Sequence, residues 1–142
     1  FFFSFFENGG EIPIKFTCNG QNVRPSLIWY SVPAEAKSLA ISVTDPDAPS
    51  GNYIHWQVIN IPTSVSKLES SESVMGDQIV NSSGDVEFVP PCPGSGKHRY
   101  IFDLFALDIE KIEPSGLTDI IGELKKNIIE KAEFFATYEQ HK

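Results

Sequence analysis

The sequence predicts a mostly β domain with few helices. Three observations carry that expectation: short segments that alternate apolar and polar residues, turn residues recurring between them, and a single stretch with helical spacing. The 142 residues are expected to form one domain, 1–142, with no internal repeat, low-complexity segment or dividing linker. Hydrophobic residues make up 41% of the chain and aromatics 12%, with 11 Phe against 1 Met, so a rigid aromatic core is expected rather than disorder.

Ile12, Ile14 and Phe16 alternate ahead of the turn pair Asn19-Gly20 and predict a first strand. Leu39, Ile41 and Val43 predict another, which runs into the proline-rich stretch from Asp45 to Gly51. From Ile54 to Ile61 the alternation places Ile54, Trp56 and Val58 on one face and His55, Gln57 and Ile59 on the other, leaving the second face partly polar. Residues 62–91 are rich in Ser, Gly, Asp and Asn, and so long an irregular excursion in a compact domain is expected to frame a site. Tyr100 to Leu107 is apolar except for Asp103, which suits a central strand covered on both faces. Thr118 and Asp119 open the best helical pattern, with Ile121, Leu124 and Ile128 on one stripe and Thr118 placed to cap the first turn. Periodicity alone leaves open whether that helix continues through Ala132 and Phe135 to Tyr138 or gives way to a last strand.

Charge narrows the function classes. A formal net charge of −8 and a pI near 4.8 repel polyanions, because binding nucleic acid depends on neutralising several phosphates with Lys and Arg. Nucleic acid and bulk anionic membrane are therefore not expected as partners. No apolar run approaches the ~20 residues of a spanning helix, and no leader pattern is present, so a soluble and cytoplasmic protein without a transmembrane segment is expected. No cofactor or metal is expected. Cys18 and Cys92 could pair or remain thiols, and the oligomeric state stays open. Asn81-Ser82-Ser83 fits a glycosylation sequon, a triplet common by chance.

Two segments concentrate residues able to carry chemistry. Asp45-Pro46-Asp47-Ala48-Pro49 ends one strand and leads toward His55 on the next, and its two prolines stiffen the connection. Ala48-Pro49 is the expected cis peptide, on the argument that a tight turn must redirect the chain there. The second segment, Pro90-Pro91-Cys92-Pro93-Gly94-Ser95-Gly96-Lys97-His98-Arg99-Tyr100, is a loop feeding a strand. By alternation His98 and Tyr100 share a face and Arg99 takes the opposite one, where Asp47 is its favoured partner. The bland alternatives are turn aspartates accepting backbone N–H bonds and semi-buried structural histidines.

The blocks "DPDAPSG", "HWQVINIP", "PPCPGSGKHRYIFDLFAL" and "TYEQ", with "TCNGQNVRPSLIW" before them, resemble the signature blocks of the phosphatidylethanolamine-binding proteins, which include the Raf kinase inhibitor proteins. The resemblance runs almost end to end and is of the short prokaryotic type. It implies a central, mostly antiparallel sheet packed on a smaller sheet, and an anion pocket at one end. It implies a helix ending near Asn127, followed by an extended segment reaching Tyr138. It assigns the pocket to Asp45, His55, His98, Tyr100 and the bordering Tyr138, with Pro49, Pro90 and Pro91 in the surrounding loops. One departure stands out. Where the family has a glycine whose N–H faces the anion, this chain has Pro90, which has none to give.

The expected function is binding of a small phosphate-like anion, with the histidines and a tyrosine hydroxyl as donors and Asp45 favouring the protonated form of one imidazole. Such binding would be weak and would fade as pH rises. The expected protein is not an enzyme. A kinase or serine protease held by binding is the alternative partner, and the pocket would then be structural. Two lesser readings remain. Cys92 and His98 could form a nucleophile and base, and His55, His98 and Asp45 have the ligand types of a metal site without its tight spacing.

Overall fold

The computed structural model describes residues 1–4, 9–21, 23–70 and 72–139. In chain order its strands are β1 (Phe2–Ser4), β2 (Leu27–Tyr30), β3 (Ser38–Asp45), β4 (Tyr53–Ile61), β5 (Lys67–Leu68), β6 (Asp77–Ile79), β7 (Lys97–Leu107) and β8 (Ile128–Glu139). They form two sheets, one ordered β1-β2-β5 and the other β6-β4-β3-β7-β8. All pairings between these strands are antiparallel. The expected mostly β architecture, a larger sheet with a smaller one, is the one observed.

Strand period two explains how the larger sheet is buried on both faces. Leu39, Ile41 and Val43 of β3 point into the same apolar cluster as Trp56, Val58, Phe102 and Leu104, and the small sheet covers that cluster with Phe3, Leu27, Trp29 and Leu68. Ala40, Ile59, Phe105 and Leu107 belong to a second cluster on the other face, closed by Ile112, Ile120 and Leu124 from the β7–β8 connection. β3 is consequently buried at every position. Burying one large apolar side chain contributes ~1.5–3 kcal/mol, so these two clusters are the main source of stability.

Three expectations about elements are corrected. Ile14–Phe16 is a 3₁₀ turn rather than a strand. Pro13 sets φ at −56° and has no N–H for a ladder, and Thr17 closes the turn by donating to the Ile14 carbonyl, so the alternation of apolar residues there is incidental. The helical stretch is only one short turn, α1 (Ile120–Glu123), followed by a 3₁₀ turn at Lys125–Asn127. Its buried residues are Ile120 and Leu124, while Ile121 is only partly covered. Thr118 does not cap it. Glu123 Oε1 instead reaches back to accept the backbone N–H groups of Thr118 and Asp119, at 2.8 and 2.6 Å. The question periodicity left open resolves as the family resemblance implies: Ile128–Glu139 is a strand, β8, paired along β7.

Candidate functional site

Three strand ends meet at one end of the larger sheet. β3 finishes at Asp45, β4 starts at Tyr53, which pairs with Asp45, and β7 starts at Lys97 with His98 beside it. They enclose a cavity of about 300 Å³. Asp45, His55, His98, Tyr100, Pro49 and Pro90, all singled out from the sequence, line it. The polar ones are deeply placed: Asp45 is 3% exposed, His55 6% and His98 7%.

His55 reaches this cavity because β4 breaks its alternation. Val43 pairs with Trp56 but Thr44 with Ile54, so His55 is the extra residue of a β-bulge. The bulge brings His55 to the face that Val43 and Asp45 share, rather than leaving it with Gln57 and Ile59 as strict alternation predicts. Its ring then packs edge-on against Tyr53 and Tyr100, with centroids 4.8 and 5.3 Å away. Tyr53 lines the cavity and was missed; counting back two residues from His55 reaches it.

The Asp45–Pro49 connection is held by its own carboxylates. Asp45 Oδ1 accepts the Asp47 N–H at 2.8 Å, and Asp47 takes Arg99 in a fork, with Nε and Nη2 at 2.9 and 3.0 Å and the Arg99 backbone N–H at 2.9 Å. The Arg99 hydrogen bonds hold the Asp47 carboxyl down at about 2. Ala48-Pro49 is trans, against the expected cis bond. Redirection comes from the next residues: Gly51, at φ +106°, donates its N–H to the Ala48 carbonyl at 3.0 Å, a turn that needs glycine rather than a cis proline.

The opposite wall is tied down by a disulfide. Cys18 and Cys92 are bonded, which settles the state the sequence left open. Cys92 therefore has no thiol, and its reading as a nucleophile beside His98 fails. Pro91 is not among the residues that line the cavity, and its carbonyl accepts the Cys18 N–H at 3.2 Å. Tyr138, opposite His98 on β8, is fully buried and donates its hydroxyl to Asn19 Oδ1 rather than lining the cavity. Of the "TYEQ" block, Gln140 lies outside the described residues, as does His141. Among the described residues of 62–91, Val89 and Pro90 are the ones that line this cavity. Asn81 is buried, donating to the Glu87 carbonyl at 2.7 Å while Ser83 bonds its Oδ1, so the sequon amide is structural.

The two imidazoles differ in chemistry. His98 Nδ1 lies 2.6 Å from Asp45 Oδ2, and Nε2 lies 3.1 Å from the Ser95 carbonyl. Both nitrogens thus face acceptors, which only a ring with a proton on each satisfies in full. His55 Nδ1 lies 2.6 Å from the Val89 carbonyl, so that nitrogen carries the proton. Burial pushes the His55 pKa below the ordinary histidine value, against the Val89 hydrogen bond and the Asp45 charge, which pull it up. Burial first, then the Asp45 and Asp47 carboxylates, raise the Tyr100 pKa, so its hydroxyl keeps its proton. His55, His98 and Asp45 do not form a metal cluster; no group of three or more such ligands occurs among the described residues. A larger open cleft of about 760 Å³ near Arg24 shares no lining residue with this site.

Two antiparallel sheets with a small, buried, histidine-bearing pocket at their strand ends define a ligand-binding β protein. The chain belongs to the phosphatidylethanolamine-binding protein family, whose model matches residues 4–139. A UPF0098 protein of Chlamydia muridarum is 39% identical over 142 residues, 95% of each chain. The crystal structure of a phosphatidylethanolamine-binding protein homologue from Chlamydia trachomatis superposes with a TM-score of 0.89 at 38% identity, covering 96% of this chain and 94% of the other. YbcL of E. coli, described as a member of the mammalian family, gives 0.86 at 32% identity over 99% of this chain and 98% of its own.

Proposed function

We propose that this pocket binds a small phosphate-like anion, free or as the head of a larger ligand, and that the protein works by binding rather than by catalysis. The observation that carries the reading is the convergence of His55, His98, Tyr53 and Tyr100 on one cavity, with His98 held by a carboxylate on one ring nitrogen and by the Ser95 carbonyl on the other. A carboxylate facing an anion would repel it. Asp45 is instead turned onto the imidazole, 2.6 Å from Nδ1, so its carboxylate is directed at His98 rather than at the ligand. Tyr53 and Tyr100 supply hydroxyl donors around the same space. Pro90, having no N–H, removes one donor and points to weak binding.

Inorganic phosphate, phosphoethanolamine, a mononucleotide and a phosphopeptide, each titrated while the histidine NMR signals are followed, test the reading. Movement of the His55 and His98 signals by at least one ligand, abolished by His98→Ala, is the expected result. If no ligand moves them while a kinase or serine protease is inhibited, the pocket is structural and the protein acts through its surface.

We further infer an oxidising compartment, against the cytoplasmic expectation, because disulfides of this kind persist where thiols are not kept reduced. No helix among the described residues is long and apolar enough to cross a membrane. Counting free thiols in protein isolated under alkylating conditions tests this, and two per chain would refute it.

A further inference from the structure

The two imidazoles of the pocket are used differently: His98 has both ring nitrogens on protein acceptors, whereas His55 has one so held and one left over. We infer that His55 is a specificity residue, and that the ligand must carry its own hydrogen-bond donor, so that a hydrogen phosphate is accepted and sulfate is rejected. This rests on the anion-binding reading above and sharpens it.

The geometry of His55 sets the polarity. The Val89 carbonyl can only accept, so at 2.6 Å the proton between them belongs to His55 Nδ1. Val89 returns the bond, its own N–H donating to the His55 carbonyl at 3.0 Å, and this two-way clamp fixes the ring. Nε2 is the nitrogen left for the cavity, and among the described residues no hydrogen bond to it is found. Burial keeps the ring neutral, so Nε2 presents a lone pair rather than a second N–H. A lone pair held beside a fully deprotonated anion is repulsive, whereas beside a P–OH group it accepts a hydrogen bond.

The surrounding charges act in the same direction. Asp45 lines the cavity and Asp47 lies one turn residue away, while the charged partners available are His98 and an Arg99 already forked onto Asp47. A site with one cation and a buried carboxylate tolerates a single negative charge better than two. Inorganic phosphate keeps at least one hydroxyl at neutral pH, and a phosphomonoester keeps one below its second ionisation near pH 6. Sulfate keeps none. Leaving a buried polar group unpaired weakens binding by about ten- to a hundredfold, which sets the size of the discrimination.

Competing titrations of inorganic phosphate and sulfate at about pH 7, read by calorimetry and by histidine NMR, test the inference. Phosphate is expected to bind at least tenfold more tightly than sulfate. His55→Gln, whose amide can turn an N–H toward the cavity, is expected to bring the two within about threefold by strengthening sulfate. Should that variant fail to fold, the ¹⁵N shifts of His55 in the unaltered protein decide, with a protonated Nδ1 and a bare Nε2 expected. Equal affinity for the two anions, or a His55 protonated on Nε2, overturns the polarity inference and leaves anion binding standing. If neither anion binds and His98 does not respond, both readings fall together.

Discussion

The Asp47 carboxylate is spent three times on one neighbour, taking the Arg99 backbone N–H and two guanidinium nitrogens. That pairing was legible from strand alternation, because Arg99 had to face away from His98 and the stiff connection put a carboxylate within reach. The pair is largely exposed, so its worth lies in fixing the loop that carries Asp45 and Pro49 more than in stability. Asp47 has a folded pKa of about 2, below its ordinary value, so what stability it adds is present above about pH 4 and lost as pH falls toward 2. Arg99→Ala should return the Asp47 carboxyl toward the ordinary range near 4, seen by carboxyl ¹³C NMR titration. A midpoint left at about 2 would show that Arg99 is not the cause. His55 and Tyr138 were less legible. Period two has no way to signal a bulge, so it put His55 on the wrong face, and nothing local ties Tyr138 to Asn19 across 119 positions of sequence.

At the scale of elements, the sequence signals that proved reliable were those with a mechanism. Alternation marked β3 and β4 and a nearly unbroken apolar run marked β7, strands buried on both faces, where a one-residue slip would exchange the side chains of the two faces. The same alternation misled at Ile12 to Phe16, where Pro13 decides the backbone. The short strands β1, β5 and β6 carry too few residues for any period to register. The loop bearing Cys92 gains its shape from outside itself, through a disulfide to a turn 74 residues away and a hydrogen bond from Cys18 to Pro91. Two cysteines in a sequence cannot announce that proximity. Closing a loop of this length restricts the unfolded chain, by the chain-entropy account, by roughly 4 kcal/mol, and native bridges deliver ~2–4. The double substitution Cys18→Ser with Cys92→Ser should therefore lower the urea unfolding free energy by about 2–4 kcal/mol and weaken phosphate binding. Unchanged phosphate affinity in a folded double variant would show that the wall stands without the bridge.

Across the whole molecule, a polar row crosses the face of the larger sheet opposite the small sheet. Register places Gln57 beside Ser42, Ser42 beside Asp103 and Asp103 beside Glu133, on four successive strands. Gln57 is fully used, donating to the Val80 and Thr118 carbonyls and accepting the Ile120 N–H, so it pins the α1 turn onto the sheet. Ser42 Oγ and Asp103 Oδ1 are buried without hydrogen-bond partners. The sequence had marked Asp103 only as an interruption in an apolar strand. Burial first, then the Glu133 carboxylate beside it, raise the Asp103 pKa to about 7, with Lys131, its Nζ 3.9 Å away, opposing. Glu133 moves the other way, chiefly through its hydrogen bond with Asp103, so the two carboxyls hold one proton between them. An unfolded Asp has a pKa near 3.9, so between about pH 4 and 7 the folded chain binds a proton that the unfolded chain does not. Stability from this group is therefore complete below about pH 4 and lost as pH rises through 7, whereas the lowered Glu133 adds stability that is already constant above about pH 4.5. Asp103→Asn keeps the shape, removes the titration and gives Glu133 a permanent donor. Urea unfolding should show the native chain losing stability from pH 5 to 8, and the variant should be flatter and ~1–3 kcal/mol more stable at pH 8. A native profile that is already flat, or a variant weakened equally at both ends of the range, would mean that Asp103 is ionised throughout and that the row is held by charge instead.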